Sequence, residues 1–371
     1  MVQRDSDLIM GNLNRVFILG AGFSKAAGMP LATELLPLLN ERLQLDEMRE
    51  WLDDLQKRLD WLSPSDTPLG PHGLNIEQVF HCAHFDIEAH RLRQQLAPVG
   101  RGDGPGTPWN QAESIGAWLF YLEDALHDVI LRCDGKSTLA PISRWAKVVG
   151  ERDAVLTFNY DTLVERALTE LDNPWNHGFE RERSGGIPVF KLHGSIDWVV
   201  AHRSEPISEL DLLFDKPNDN RSQRNTGHVE DDYLLWRCRT RRELCEWLEG
   251  RDLQMVSSDA APRTVGIAGL GAYKELHQIP GLGPTWSRGM TALHQADLAV
   301  IVGFSMSDFD AIAQMQFAEV ARSRWDKRNP LRVVVIDPFV NESSKSRFRC
   351  VFRNVEFIKE RHENVDWASL G

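Results

Sequence analysis

The turn formed by Gly20, Ala21 and Gly22 has the residue types and the spacing of a phosphate-binding turn. It follows the apolar segment Val16–Leu19, which predicts a buried strand, and it precedes a helix that we expect to begin near Ser24. Glycines let the backbone approach a phosphate closely, and the first N–H groups of the helix then point at the anion. The expected ligand is a nucleotide or a dinucleotide. Because the third glycine of the dinucleotide fingerprint is missing, a tight turn without a ligand stays an alternative.

Four further apolar segments end in polar or glycine-containing turns. These turns are TFNYD at 157–161, LHGS at 192–195, GFS at 303–305 and IDP at 336–338. Ligands of parallel α/β sheets bind outside the carboxyl ends of the strands. We therefore expect the five turns to form one shared site.

Each of these turns also has an explanation without a ligand. Asn159 and Asp161 belong to the residue types that cap helices, and the sequence after them predicts a helix. A single histidine such as His193 is more often a hydrogen-bonded structural residue than a catalyst. Asp337, before Pro338, is typical of a strand end. The prediction of a site therefore depends on the turns occurring together.

The segments that carry the turns predict an α/β fold. Continuous runs of Val, Ile and Leu alternate with helical patterns, and we therefore expect a Rossmann-like parallel sheet with helices on both faces. The predicted strands are Val16–Leu19, Ala154–Leu156, Ile187–Leu192, Leu298–Val302, Leu331–Ile336 and Val355–Ile358.

Two insertions interrupt this pattern. Roughly a hundred residues separate the first two predicted strands, which is far longer than an ordinary crossover connection. Apolar residues recur there at helical spacing, within 46–62, 76–96 and 111–131. We interpret residues 33–150 as a helical insertion within a single domain that covers 1–371. Residues 199–263 are polar and charge-rich, and they predict a second, irregular insertion with a helix near 233–248.

Composition limits the class of protein. A chain of 371 residues with 42% hydrophobic and 26% charged residues is typical of a globular protein with a sizeable core. Its net charge of −12 argues against a protein that mainly binds nucleic acid. The five cysteines form no CxxC pair, so the sequence predicts neither a disulfide framework nor a zinc site. No apolar run suits a secretory signal or a membrane span, and we expect a cytoplasmic protein.

The glycine turn resembles a motif of a known family. The segment GAGFSKAAGMP at 20–30 is similar to GAGxSxxxGIP, the NAD-binding opening of the sirtuin family. TFNYD, which begins at Thr157, resembles the sirtuin TxNxD element, and His193 with Gly194 resembles its histidine–glycine pair. Gly303 and Ser305 fall where sirtuins have a Gly-Thr-Ser turn. The four motifs occur in the order found in the family.

The sequence also departs from the sirtuin family in two features of its protein-deacylating members. Protein-deacylating sirtuins bind a structural zinc through two CxxC pairs, which this chain lacks, and LATEL at 31–35 replaces their Asp-Phe-Arg. The chain is more similar to the sirtuin-like group of bacterial antiphage defence, whose domains hydrolyse NAD. The resemblance implies an NAD glycohydrolase that depletes NAD. It also implies a HerA-type hexameric ATPase as partner, because standalone chains of about this length in that group assemble with one.

The resemblance also implies a role for each candidate site residue. NAD is the substrate, and neither a cofactor nor a metal is implied. The implied catalytic residues are Asn159 for a ribose hydroxyl or the attacking water, His193 as general base, and Asp161 for the nicotinamide amide. The implied NAD-binding residues are Gly20, Ala21, Gly22, Ser24, Thr157 and Gly303, with Ser305 and Asp337 on the adenosine side.

Two other functions stay open. One is an NAD-dependent protein deacylase without zinc. The other is a module that binds NAD or another nucleotide and assembles without turning it over, although such a module has less need of both Asn159 and His193. A nucleic-acid enzyme is the least favoured because of the acidic balance. A toxic hydrolase requires an inactive state, which the long insertions can supply through contacts between copies, so we expect a homo-oligomer.

Overall fold

Seven strands form one parallel sheet. The structure is a computed structural model, and it describes residues 14–41, 50–55, 57, 75–96, 109–178, 185–202, 210–214, 233–238, 265–268, 279–307 and 310–370. The sheet contains β1 (Arg15–Leu19), β2 (Asp153–Thr157), β3 (Trp175–Asn176), β4 (Ile187–Lys191), β9 (Leu298–Val302), β10 (Arg332–Ile336) and β11 (Val355–Ile358). Their order is β11-β10-β9-β1-β2-β4-β3, and all paired strands are parallel. The predicted Rossmann-like α/β fold is therefore confirmed.

The strand order places β1 at the point where the chain reverses its direction across the sheet. β2 and β4 follow on one side of β1, whereas β9, β10 and β11 continue on the other. Apart from the two-residue edge strand β3, this is the strand order of the Rossmann fold, in which the ligand crevice opens at the reversal. The crevice expected from this order lies between the carboxyl ends of β1 and β9.

Helices cover both faces of the sheet. In chain order they are α1 (Ala21–Lys25), α2 (Ala32–Asn40), α3 (Ile76–Leu96), α4 (Trp109–Asp134), α5 (Ser143–Ala146), α6 (Leu163–Glu170), α7 (Leu282–Gln295), α8 (Ala311–Asp326) and α9 (Glu342–Val351). Phe17 and Leu19 of β1 pack in one apolar cluster with α2 to α6. Val16 and Ile18 point to the other face, where they share a cluster with α7, α8 and α9. This alternation follows from the two-residue period of a strand.

The helical segment between β1 and β2 follows the predicted pattern. α3 has the predicted bounds, α4 contains the predicted helix 111–131, and residues 50–55 are helical within the predicted helix 46–62, most of which lies outside the described residues. His127 of α4 lies within 2.7 Å of the Ile196 carbonyl oxygen, which ties the insertion to the strands beyond β4. No helix in the described ranges is long and apolar enough to cross a membrane.

A second, antiparallel sheet is a correction to the prediction for residues 199–263. β5 (Gly194–His202), β6 (Leu210–Phe214), β7 (Tyr233–Cys238) and β8 (Val265–Ile267) pair in the order β6-β7-β5-β8. The described residues of this range are therefore strands and not irregular chain. The helix expected from 233 is wrong over β7, and its remainder, 239–248, lies outside the described residues. The Leu and Trp side chains of YLLWRC fit a strand as well as a helix, and pairing with β5 decides between them.

Candidate active site at the strand ends

The five predicted turns meet along one edge of the parallel sheet. Backbone hydrogen bonds join them in strand order: Gly303 N–H to Ile336 O at 3.3 Å, Gly20 N–H to Val302 O at 3.0 Å, Phe158 N–H to Leu19 O at 2.9 Å and Leu192 N–H to Thr157 O at 2.9 Å. Each turn thus begins where its neighbour in the sheet ends. The predicted convergence of these turns at the carboxyl edge is observed.

The glycines of two turns pack directly against each other. Gly22 N–H donates to Gly303 O at 2.9 Å. A methyl group added at Gly20 would lie 2.6 Å from Gly303 O, and one added at Gly22 would lie 2.8 Å from Gly303 Cα. Gly303 itself has φ +59, a conformation that favours glycine. Close contact between the turns therefore explains these glycines, whether or not a phosphate binds beside them.

The helix after the glycine turn differs from the prediction. It begins at Ala21 instead of near Ser24, and it ends after a single turn at Lys25. A dipole of one turn is small, so little of the expected anion attraction comes from α1. Ala21 is exposed and its N–H donates to no described group, whereas Gly22 N–H is already bonded. Ser24 lies inside the helix, where its buried side chain points to the next strand end.

Asn159 links the end of β2 to the glycine turn. Its side-chain nitrogen Nδ2 donates to Gly20 O and to Ser24 Oγ, both at 2.9 Å. Its backbone N–H donates to Thr157 Oγ1 at 3.1 Å. These contacts set the orientation of the side-chain amide: Nδ2 points at the glycine turn, and Oδ1, which can only accept, points the other way. Among the described residues, no group donates to Oδ1. Asn159 does not cap the following helix with this side chain.

Asp161 lies next to Ser24 on the other side from Asn159. The nearby Ser24 hydroxyl acts to lower the pKa of the Asp161 carboxyl, and Leu163 N–H, at the start of α6, donates to Asp161 Oδ1 at 3.2 Å. Burial raises the pKa of Asp161, and the Lys191 ammonium partly offsets this rise. The alternative role of Asp161 as a residue that hydrogen-bonds to the start of a helix therefore accounts for Oδ1 alone. The line from Asn159 through Ser24 to Asp161 is called the polar line below.

Lys191 is a buried cation that the sequence interpretation missed. It is the last residue of β4, and its Nζ donates to the Asp161 backbone oxygen. Nζ also lies 3.3 Å from Glu165 Oε1, and both side chains are almost fully buried. Burial raises the pKa of Glu165, against the effect of Lys191. A lysine inside the apolar strand IPVFK was the available signal, because a buried ammonium requires a partner.

His193 lies where the parallel sheet continues into the antiparallel one. It follows β4 and precedes Gly194, the first residue of β5, and its carbonyl accepts from Ala268 N–H at 2.8 Å. The aromatic rings of Phe158 and Tyr160, which flank Asn159 in the chain, lie with their centroids 5.0 and 6.0 Å from the imidazole. The imidazole is buried next to the end of β2.

Asp310 is a second residue that the sequence interpretation missed. It directly precedes α8, and its Oδ1 lies 3.5 Å from His193 Nε2. The segment after GFS contains three acidic or hydroxyl residues close together, and the sequence offers no way to choose among them. Only the fold brings this carboxylate to a histidine in a different turn.

The adenosine-side candidates lie farther along the same edge. Ser305 is exposed, and Asp337 is half-buried with Oδ1 accepting from Phe339 N–H at 2.7 Å. Neither side chain hydrogen-bonds to a described residue of the polar line. The hydrogen bond of Oδ1 is consistent with the interpretation of Asp337 as a residue that ends a strand. The other carboxylate oxygen, Oδ2, takes no part in that hydrogen bond.

Known proteins add no assignment to this site. No protein-family model matches the chain, and a search of curated proteins finds no match. Within the described ranges, no group of three or more His, Cys, Asp or Glu side chains is arranged to hold a metal ion. The groups that the described residues bring together here are an amide, a carboxyl and an imidazole beside a glycine turn.

Proposed function

We propose that the chain is an NAD glycohydrolase, which cleaves NAD to nicotinamide and ADP-ribose. The observation that carries this proposal is the polar line of Asn159, Ser24 and Asp161, which joins the glycine turn to the end of β2, with His193 at the adjacent strand end. The glycine turn at one end of this line follows β1, the strand at the reversal of a Rossmann-like sheet, which supports a dinucleotide as ligand. The resemblance to sirtuin-like NAD hydrolases of antiphage defence supports the reaction type.

The reaction makes limited demands on the protein. Breaking the bond between nicotinamide and ribose expels a neutral amide from a cationic ring, so the leaving group needs no strong acid. The protein must stabilise an oxocarbenium-like ribose and orient a water molecule. Groups that accept hydrogen bonds and take up a proton can stabilise such a ribose and orient the water molecule.

The polar line suits these demands. We infer that Asn159 Oδ1 accepts a hydrogen bond from a ribose hydroxyl or the attacking water, because Nδ2 is already occupied by Gly20 and Ser24. Asp161 binds the nicotinamide amide, and His193 accepts the proton released when water attacks. Ala21 N–H faces the pyrophosphate, while Ser305 and Asp337 bind the adenosine side.

Chromatography of NAD incubated with the full chain, alone and with a HerA-type ATPase, tests the proposal. We expect nicotinamide and ADP-ribose to accumulate with the active form. Asn159→Ala and His193→Ala should each lower the rate by about 100-fold or more, because they remove a positioning group and a general base. Asn354→Ala, which truncates an exposed asparagine far along the chain, is the matched control and should leave the rate unchanged.

The same experiment separates the other functions. A deacylase would release nicotinamide only when an acyl-lysine peptide is added. A sensing module would bind NAD in calorimetry and release no product over hours. Full activity in both Asn159→Ala and His193→Ala would show that the site residues are wrongly assigned.

We further propose that the enzyme acts in the cytoplasm as an effector that depletes NAD, as a homo-oligomer together with a HerA-type ATPase. The argument for oligomers is that a toxic hydrolase needs an inactive state, and that the inserted helices α2 to α5 pack close to the site elements. Light scattering at micromolar concentration should give a mass above that of one 42.2 kDa chain. A monomer under these conditions would remove the homo-oligomer from the proposal.

A further inference from the structure

The contact between His193 and Asp310 joins two turns that lie far apart in the chain. His193 Nε2 and Asp310 Oδ1 are 3.5 Å apart, and the exposed fractions of the two side chains are 5% and 8%. His193 follows β4, whereas Asp310 follows the turn at the end of β9. At this separation and burial, an ionised carboxylate stabilises a protonated imidazole strongly, since little water screens the pair.

The side chain of Asp310 does not cap the helix that follows it. An aspartate directly before a helix commonly accepts hydrogen bonds from the first N–H groups of that helix. Asp310 makes no capping hydrogen bond to α8, although it stands at the capping position. The start of this 16-residue helix still favours a negative charge at Asp310. The carboxylate therefore faces His193 instead of the first N–H groups of α8.

Among the described residues, the aromatic neighbours of the imidazole contribute no ionic group. Phe158 contacts the imidazole edge-on, and the Tyr160 hydroxyl donates to Ala268 O at 2.5 Å. Lys191, two residues earlier, directs its ammonium to Asp161 and Glu165. Of the ionic groups described on the elements around this ring, Asp310 is the one within salt-bridge distance.

We propose that Asp310 is the positioning residue of His193: it holds the imidazole through Nε2 and stabilises its protonated form. The role in catalysis rests on the proposed function, in which His193 takes a proton from the attacking water or a ribose hydroxyl. The proton then forms an imidazolium beside the Asp310 carboxylate, and it leaves to solvent when the product departs. Asp310 does not touch the reacting atoms in this scheme.

The pairing is tested without substrate by NMR titration of the full chain labelled at histidine. The resonance of His193 is identified by its absence in His193→Gln. We expect the pKa of His193 to fall by about 1 to 3 units in Asp310→Asn, since an opposite charge within about 4 to 6 Å shifts a pKa by that amount. Asp310→Glu keeps the charge and should retain most of the pKa. Asp326→Asn, which removes a carboxylate at the far end of α8, is the control and should change nothing.

The role in catalysis is tested by the pH dependence of nicotinamide release. Asp310→Asn should lower the rate at neutral pH by at least about 10-fold and shift the acid limb of the profile in step with the pKa, and Asp310→Glu should restore part of the rate. A structural role alone would lower the rate without moving the limb. If Asp310→Asn does not fold, Asp310→Ser, which also removes the carboxylate, replaces it in the titration and should show the same fall of the His193 pKa.

The outcomes distinguish this inference from the proposed function. An unchanged pKa of His193 in Asp310→Asn overturns the pairing, whatever the activity. A lower pKa with an unmoved pH profile overturns the positioning role. A lower pKa in a protein that never releases nicotinamide supports the pairing and overturns the glycohydrolase proposal instead.

Discussion

Ser24 is the smallest side chain of the polar line, and it lies between the two larger ones. Its oxygen accepts from Asn159 Nδ2 at 2.9 Å, and its hydroxyl lies close enough to the Asp161 carboxyl to act on its pKa. A hydroxyl can accept and donate at once, which neither an amide nitrogen nor a carboxylate can do. The Gly20 carbonyl, which can only accept, therefore determines which way the Asn159 amide faces, and Ser24 accepts from the same nitrogen.

Removal of this hydroxyl should destabilise the protein. In Ser24→Ala, the buried Asn159 amide nitrogen loses an acceptor, and the buried Asp161 carboxyl loses the hydroxyl beside it. We expect the free energy of unfolding to fall by about 1–3 kcal/mol, the usual cost of leaving a buried polar group without its partner. Urea denaturation at pH 7 measures it.

Ser305→Ala is the matched control for this change. Its hydroxyl is exposed, so the free energy of unfolding should stay within about 0.5 kcal/mol of the wild type. Equal stability of Ser24→Ala and Ser305→Ala would contradict the importance of the polar line.

The sequence predicted some of these residues and not others. Asn159, His193 and the glycines could be found because each lies in a short motif at the end of an apolar segment. For Lys191 the apolar strand around it indicates burial but not the partners, Glu165 and Asp161, and no motif connects Asp310 with His193. Such partners are set by which strands become neighbours, and no local pattern contains that information.

At the level of elements, the site is held together by two turns that fit only because both are glycine-rich. The turn after β1 and the turn after β9 approach so closely that methyl groups on either side would meet backbone atoms. This approach lets the two central strands end side by side. It makes the geometry of the crevice depend on Gly303 as much as on the motif that first suggested a nucleotide.

Gly303→Ala should therefore be strongly destabilising. Its added methyl group would meet the Phe23 nitrogen and lie 2.6 Å from Gly22 Cα, at φ +59. We expect a loss of about 2–5 kcal/mol, the sum of a left-handed backbone penalty and overpacking. The midpoint of urea unfolding measures the loss.

Gly28→Ala separates the two causes. Gly28 also has a positive φ, of +105, but a methyl group there would meet nothing within 4 Å. Its cost should be limited to about 1–2 kcal/mol from the backbone alone. A Gly303→Ala variant no less stable than Gly28→Ala would show that the two turns can move apart.

The parallel strands were predictable, and the antiparallel ones were not. β9 and β11 have their predicted bounds, and the bounds of β1, β2, β4 and β10 differ from the prediction by one residue, because buried parallel strands are continuous apolar runs. β6 and β7 are short and carry leucine and tryptophan at spacings that also suit a helix. α9 was missed because its sequence, ESSKSRFRCV, is mostly polar; its signal was Asn341, which exchanges hydrogen bonds with Ser344 at the helix start.

At the level of the whole molecule, stability should depend on pH through His177. This side chain is buried between Trp175 and Trp198, whose ring centroids lie 5.0 and 5.2 Å away. Burial lowers the pKa of His177 to about 3. In the unfolded chain the pKa of this histidine is the ordinary one of about 6.5. Between about pH 3 and pH 6.5 the unfolded chain therefore binds a proton more readily than the folded protein does. The stabilisation is therefore complete above about pH 6.5 and is lost as the pH falls toward 3.

His177→Gln should reduce this acid sensitivity. At pH 5 the wild type loses about 2 kcal/mol of unfolding free energy through His177, relative to pH 7. The variant has no group to protonate at this position, so its loss over the same interval should be smaller by that amount. Urea unfolding of both proteins at pH 7 and pH 5 gives the comparison. Parallel losses in the two proteins would contradict the lowered pKa.

The central place of β1 in the sheet also has a consequence for how the protein is made. Its two neighbours begin at Asp153 and Leu298, so β1 leaves the ribosome long before either of them exists. At about 5–20 residues per second, β9 follows β1 by roughly 15 to 60 s. During that time the glycine turn has no opposing turn to pack against. A growing chain thus carries no assembled crevice, and the cell that synthesises the protein meets its proposed activity only after Gly303 has been added.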